Sequence, residues 1–316
     1  MGTKANKMTK TETETRHKTV LLNEAIDGLL APQKVGNEKL VVVDGTFGGG
    51  GHSLGICQKY PGVKIIALDQ DKGVFAKAES KFEELGCDIS FHNENFRNID
   101  KVLGAKLPKN EVDGIILDLG LSSDQLESSG RGFSFMRDEP LIMTMKENPI
   151  SLDVTAYEVV NTWGEESLAD IIYGYGEEKQ ARPIAKKIVG WRKEREIKTT
   201  FDLVKIIEEA IPARFRKGKI HYATKTFQAI RIAVNDELGA LSEGLDKGFK
   251  ALKVGGRMSV ISFHSLEDRI VKRFFKKLAD EKKAILINKK PIIASKEEIK
   301  NNPRARSAKL RIISRR

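Results

Sequence analysis

Leu40-Val-Val-Val-Asp-Gly-Thr-Phe-Gly-Gly-Gly-Gly-His52 is the stretch that decides the fold. A short β-branched apolar run ends in Asp44, and four consecutive glycines then open a segment with helical composition. A strand that feeds a glycine loop at a helix N-terminus is how α/β proteins cradle a nucleotide-like ligand. The loop backbone can come close, and the first helical N–H groups point outward. The form of the loop also excludes ligands. A P-loop needs Gly-x-x-x-x-Gly-Lys-Ser/Thr; counted from Gly45, Gly50 is followed by Gly51 and His52, so the Lys and the hydroxyl are missing. A dinucleotide loop needs Gly-x-Gly-x-x-Gly; Gly48 and Gly50 supply the first pair, and Ser53 stands at the third position. What remains has room for backbone approach and no pyrophosphate grip. S-adenosylmethionine, with a ribose and an adenine but no phosphate, fits such a loop. A glycine-rich connection that holds no ligand is the competing reading.

Working outward, Val63–Asp69 reads as a second buried strand ending in an acid. Asp69 is placed to accept hydrogen bonds from ribose hydroxyls. Asp71 reads as a cap for the following helix. A third strand fits Cys87–His92, followed by Asn95-Phe96, and a fourth fits Val112–Asp118. Strands alternating with helical stretches predict a parallel, doubly wound α/β sheet, with ligands at the C-terminal strand ends. Asp44, Asp69, Phe96 and Asp118 then share one rim.

The chain has 316 residues, 40% of them hydrophobic, ample for one or two domains. No apolar run reaches membrane-spanning length and no signal peptide is visible, so a cytoplasmic protein is expected. Cys57 and Cys87 lack metal spacing and read as buried small residues in a reducing compartment. The five His are scattered and suggest no metal site. Net charge is +11, and it is concentrated. Lys179–Arg231 carries 15 basic and 5 acidic residues, and Pro303–Arg316 carries six basic residues and no acid. Such concentration is the footprint of a phosphate-backbone partner, with a solvated helix face as the alternative.

A fifth strand is expected only at Arg257–Ser262, after a turn at Gly255-Gly256 and before Phe263-His264-Ser265. A crossover needs a dozen or so residues, so a domain is inserted after the fourth strand. Thr155-x-x-Glu158 and Ser167-x-x-Asp170 look like capping boxes. Ala181, Ile184, Ala185 and Ile188 recur at helical spacing, as do Phe227, Ile230, Val234, Leu238 and Leu241. Pro183 sits in the first turns of its helix and Pro212 marks a break. The division reads as a disordered tail at 1–17, a core from 18–126 and 236–316, and a basic helical substrate-recognition insertion at 127–235. A helix at Leu266–Leu278, with Leu266, Ile270, Phe274 and Phe275 inward, and strands at Ala284–Asn288 and Ala308–Ser314 complete a seven-strand sheet.

With these residues in hand, the chain resembles the bacterial 16S rRNA cytosine-N4 methyltransferases of the MraW/RsmH family. The resemblance rests on His17-x-x-Val20-Leu-Leu-x-Glu24-Ala, Asp44-Gly-Thr-Phe-Gly-Gly-Gly-Gly-His-Ser53, Asp113-Gly-Ile-Ile-Leu-Asp-Leu-Gly120 and Arg131-Gly-Phe-Ser-Phe135. It continues through Tyr175-Gly-Glu-Glu178, Ala223–Ile232, Asn235 with Glu237-Leu238, Ile261-Ser-Phe-His-Ser-Leu-Glu-Asp-Arg269 and Asn302-Pro-Arg-Ala-Arg-Ser307. It spans residues 17–313, and the block around His264 is highly specific.

The resemblance implies a Rossmann-like seven-strand S-adenosylmethionine-dependent methyltransferase fold with an inserted helical domain. It implies that Gly50, Gly51 and His52 contact the methionine part of the cofactor and that Asp69 holds the ribose. Phe96 would lie near the adenine, and Asp118 and Gln125 would complete the pocket. The implied target is the exocyclic amine of a cytidine in the decoding region of 16S rRNA, within the small ribosomal subunit. Asp118 and His264 are the candidate catalytic residues, with His264 as a structural residue of the strand turn an equal alternative. Phe133 or Phe135 would stack on an extruded base. The chain departs from the family pattern at Pro140-Leu-Ile-Met-Thr-Met-Lys146, where two acids and an Arg are replaced. Asp124 and Tyr222 stand where prolines are common. A non-catalytic ribosome-assembly factor with the same fold is the alternative function.

Overall fold

The computed structural model describes residues 19–30, 39–107, 111–151, 153–218 and 220–316. The expected tail at 1–17 lies outside the described residues. The strands are β1 (Val41–Asp44), β2 (Lys64–Asp69), β3 (Asp88–Asn93), β4 (Val112–Asp118), β5 (Leu252–Ser262), β6 (Ala284–Leu286) and β7 (Lys309–Arg315). They form a seven-stranded sheet in the order β3-β2-β1-β4-β5-β7-β6. Strands β1 to β5 run parallel, and β7 is antiparallel to both neighbours. Strand order reverses between β1 and β4, which opens a crevice at their C-terminal ends. Asp44 and Asp118 close the two strands that flank it.

The period of two decides which face each residue serves. Val43, Ile66, Ile115 and Leu117 pack on one face and Val42, Ile65, Ile116 and Ile261 on the other. The second face is covered by α1 (Leu22–Leu29) and α2 (Gly51–Lys59). Around Phe47, α3 (Gly73–Glu84) contributes Phe75 and Phe82 to a small aromatic core. The first face is covered by α4 (Ile99–Lys106), α12 (Glu237–Ala251) and α13 (Ser265–Asp280).

Between β4 and α12 come α5 (Ser123–Glu127), α6 (Ala156–Thr162), α7 (Glu165–Gly174), α8 (Ala181–Arg192), α9 (Thr200–Ala210), α10 (Ala213–Arg216) and α11 (Thr224–Asn235). Residues Phe133 to Ile230 bury a hydrophobic core of their own, in which Ile184, Ala185 and Ile188 are fully covered. The last helix is α14 (Lys296–Asn301). No helix among the described residues is long and apolar enough to cross a membrane.

Five local expectations are corrected. Gly255-Gly256 does not turn the chain into β5 but lies within it. Gly255 has φ +83°, and the pairing with β4 shifts register there, as in a bulge. The stripe from Phe227 to Leu241 is two helices, because Asp236 adopts the left-handed conformation (φ 45°) and ends α11 while starting α12. Thr155 and Glu158 form the expected capping box, but Ser167 lies inside α7, whose N-cap is Gly164. In α13 Phe275 is buried and Ile270 and Phe274 pack against the same core, as expected, but Leu266 is only half-buried and Val271 and Leu278 take the other buried positions. Cys57 and Cys87 are half-buried and disulfide-bonded, with Cα atoms 5.9 Å apart. The topology sets the C-terminal end of α2 beside the start of β3, an adjacency that a sequence separation of 30 conceals.

Candidate active site

The glycine loop is shaped by what surrounds it. Gly48 and Gly50 have φ +50° and +73°, the left-handed region that costs a residue with a Cβ. A Cβ on Gly50 would stand 2.6 Å from the Phe47 ring, and one on Gly51 would stand 1.7 Å from Thr19 Oγ1. Thr46 Oγ1 accepts the Asp118 N–H at 2.6 Å, which ties the loop to β4 across the crevice.

Three carboxylates face this crevice. Asp44 accepts from Ser53 Oγ at 2.6 Å and from the Thr46 N–H at 3.2 Å. Burial nonetheless lifts its pKa to about 6. Asp69 accepts the N–H groups of Gly48 at 2.8 Å and Asp71 at 2.9 Å, and burial lifts it to about 6 as well. Asp118 is held well above the ordinary carboxylate range, first by burial and then by the charges of Asp44 and Glu267. Its Oδ1 is covered and has no hydrogen-bond partner among the described residues. Its other oxygen lies 3.7 Å from His52 Nδ1, and 22% of the side chain stays open to the crevice.

The sequence model of the MraW methylase family matches residues 14–316. The chain belongs to the MraW methylase family. It is similar to the ribosomal RNA small subunit methyltransferase H of Lactobacillus johnsonii, with 44% identity covering 94% of this chain and 98% of that protein. The enzyme of the same name from Lactobacillus gasseri is 45% identical over the same shares. Among solved structures, an rRNA methylase from Streptococcus thermophilus superposes over 92% of each chain with 10% identity and a TM-score of 0.42. The methyl donor of this family is S-adenosylmethionine. The site's chemistry fits that donor: a backbone cradle without a phosphate grip, and buried acids, one with an unsatisfied oxygen, for a cationic ligand.

Other candidate site residues have more specific settings. Gln125 is buried, and its Oε1 accepts the Ser122 N–H at 3.0 Å in a capping box that starts α5. The Phe96 ring packs against Gly244 of α12, where a Cβ would stand 2.4 Å away. Asp71 receives the Gly73 N–H at 3.1 Å, as a cap would, but its other oxygen pairs with Arg131. Asp124, in place of the common Pro, pairs with Lys77 beside the glycine loop, at a 230 Å³ cavity lined by Gly48, Gly50, Phe82 and Ser122.

His264 is the N-cap of α13. Its Nδ1 accepts the Glu267 N–H at 3.4 Å, and its Nε2 lies 3.2 Å from Glu267 Oε1. Glu267 Oε2 accepts the N–H groups of Phe263 and His264. Burial alone would raise the Glu267 pKa, but the His264 hydrogen bond and charge, the Phe263 N–H and the Arg231 charge together hold it below the ordinary range. Glu267 escaped the sequence reading, although its spacing from His264 is that of a capping box. Glu237, His264 and Glu267 bring donor atoms within 4.8 Å of one another. The cation beside them is Arg231, bonded to both oxygens of Glu237 at 2.8 and 2.9 Å.

Of the two candidate stacking rings, Phe133 is buried, with the Arg131 guanidinium 5.5 Å from its centroid. Phe135 is half-buried and stacks on His221 at 4.7 Å and 20°. Tyr222 sets its own ring 4.1 Å from His221.

A pH dependence follows. A carboxylate must be ionised to accept two hydroxyl hydrogen bonds or to favour a cationic ligand. Since burial places Asp44 and Asp69 at about 6, cofactor affinity is expected to hold near pH 8 and fall as pH drops through 6. Titration calorimetry from pH 8 to pH 5 checks this; a flat profile would remove these carboxylates from the binding step.

Proposed function

We propose that this protein methylates the exocyclic N4 amine of a cytidine in the decoding region of small-subunit 16S rRNA, with S-adenosylmethionine as donor. The observation that carries the reading is Asp118. Its unsatisfied Oδ1 sits at the switch point of the sheet, beside the glycine loop. The relatives at 44% and 45% identity, named for small-subunit rRNA methylation, support the substrate class.

When bound, S-adenosylmethionine supplies a methyl group on a cationic sulfur. The protein's residues supply position and field. Gly48 to Gly51 let the backbone approach the ligand, and Asp69 fixes the ribose. Asp118 accepts an N–H from the target amine, which frees the nitrogen lone pair from the ring for in-line attack. After transfer the amine holds one proton too many, and Asp118 receives it. His264 enters through Glu267: its Nδ1 accepts the Glu267 N–H at the cap of α13, and its Nε2 lies 3.2 Å from Glu267 Oε1, which fixes the end of β5 beside Asp118. The basic stretch 179–231 and the Phe135–His221–Tyr222 stack suit a phosphate backbone and unstacked bases.

The test supplies labelled S-adenosylmethionine with either assembled small subunits or naked 16S rRNA. Label on cytidine N4 in subunits is expected. Cofactor binding without transfer to either substrate would favour the assembly-factor reading, and transfer only to naked RNA would overturn the small-subunit context.

A further inference from the structure

Arg131 and Asn235 have no part in the chemistry above, yet both grip one segment of the structure. Arg131 leads into the helical insertion, and its side chain is 9% exposed. Its Nη2 donates to Asp71 Oδ2 at 2.5 Å. Its Nη1 donates to the carbonyls of Thr144 (3.1 Å), Met145 (3.1 Å) and Lys146 (2.9 Å). Asn235, at the end of α11, takes the same segment from the other side. It donates to the Met143 carbonyl at 2.7 Å and accepts the Met145 N–H at 2.7 Å. Met143 takes the left-handed conformation (φ 54°), a strain that these bonds hold in place.

The segment so held lies at the ribose end of the cofactor site. Gln70 Nε2 lies 3.5 Å from Met145 Sδ, and the Asp71 N–H is bonded to Asp69 Oδ1. One side chain therefore joins the strand end that carries Asp69 to the root of the insertion. The contacts from Arg131 and Asn235 to residues 143–146 are all to backbone atoms. The joint therefore does not depend on which side chains stand at Thr144 and Lys146.

We propose that Arg131 is a positioning residue for methyl transfer. Its guanidinium fork locks Met143–Lys146 onto Asp71, and so sets the inserted helices, with any RNA they hold, in register with the methyl donor. The proposal rests on the reading of Asp69 as the ribose ligand. A planar fork can serve the Asp71 carboxylate and a row of carbonyls at once, whereas an ammonium is a point donor.

The test compares Arg131→Lys with wild type. The Lys variant keeps the charge opposite Asp71 and is expected to melt close to wild type and to bind S-adenosylmethionine with little change. Its single-turnover rate on small subunits at saturating cofactor is expected to fall by about 30-fold, since misplacement by an ångström costs rates of this order. In hydrogen exchange, the Met145 amide is expected to be slow in wild type and slowed further by S-adenosylmethionine. In the Lys variant it exchanges faster, and the cofactor no longer slows it. Wild-type turnover and exchange in Arg131→Lys would overturn the proposal. So would a rate loss that merely tracks the folded fraction. If wild type fails to methylate small subunits, the substrate reading falls, while the exchange measurement still decides the role of Arg131.

Discussion

Asp69→Ala is expected to weaken S-adenosylmethionine binding by about 100-fold, with the protein still folded. A hydrogen bond to a charged acceptor contributes about 1.5–3 kcal/mol, and a tenfold change in affinity is about 1.4 kcal/mol. Losing two ribose hydroxyl bonds to one carboxylate therefore supports a loss of this size. The fold tolerates the change because burial already disfavours the Asp69 charge, lifting its pKa to about 6. The substitution does release the Gly48 and Asp71 N–H groups, so Asp69→Asn, which keeps one acceptor, is expected to bind with intermediate affinity. Calorimetry with S-adenosylmethionine reads the affinity and thermal melting reads the fold. An unchanged dissociation constant in a folded Asp69→Ala protein would show that the ribose lies elsewhere.

Asp118→Asn is expected to reduce methyl transfer by about 1000-fold, the range seen when a preorganised electrostatic group is removed, and to raise the melting temperature. The two effects share a cause. Burial and the charges of Asp44 and Glu267 disfavour the ionised Asp118, whose Oδ1 has no partner among the described residues, an arrangement that suits a cationic ligand and strains the empty fold. The sign of the pH dependence follows from linkage. The folded-state pKa lies well above 3.8, so the native state binds more protons, and the penalty grows as pH rises through that interval. The stabilisation of Asp118→Asn over wild type should be largest at neutral pH and vanish toward pH 4. Melting curves across that range, with transfer assays at neutral pH, separate this from a simple loss of packing; a destabilised variant at neutral pH would remove Asp118 from its assigned role.

The first four strands were legible because each is a short apolar run closed by a local signal: Asp44 and the glycines, Asp69, Asn95-Phe96, and Asp118. Thr155 with Glu158 was legible for the same reason, since a capping box lies within four residues. The start of β5 was not. A glycine pair reads as a turn, and the carbonyls of Lys253 in β5 and of Val112 and Asp113 in β4, which a Cβ on Gly256 would meet at 2.9, 3.1 and 3.2 Å, show why glycine is needed inside a strand. The break at Asp236 was hidden as well. Its hydrophobic stripe continues in phase, while the chain turns on one left-handed residue stabilised by the Arg231–Glu237 pair across it.

By itself the sequence determined the glycine loop, the acids at the strand ends and the concentration of positive charge, because each is encoded by neighbouring residues and their period. Partners distant in the chain were decided by the tertiary structure alone. Asp71 reads as a cap until Arg131, 60 residues away, reaches it. Cys57 and Cys87 read as separate thiols until the sheet brings them together. A buried charge or thiol can be satisfied by whichever group the packing delivers, and local sequence carries no record of which group that will be.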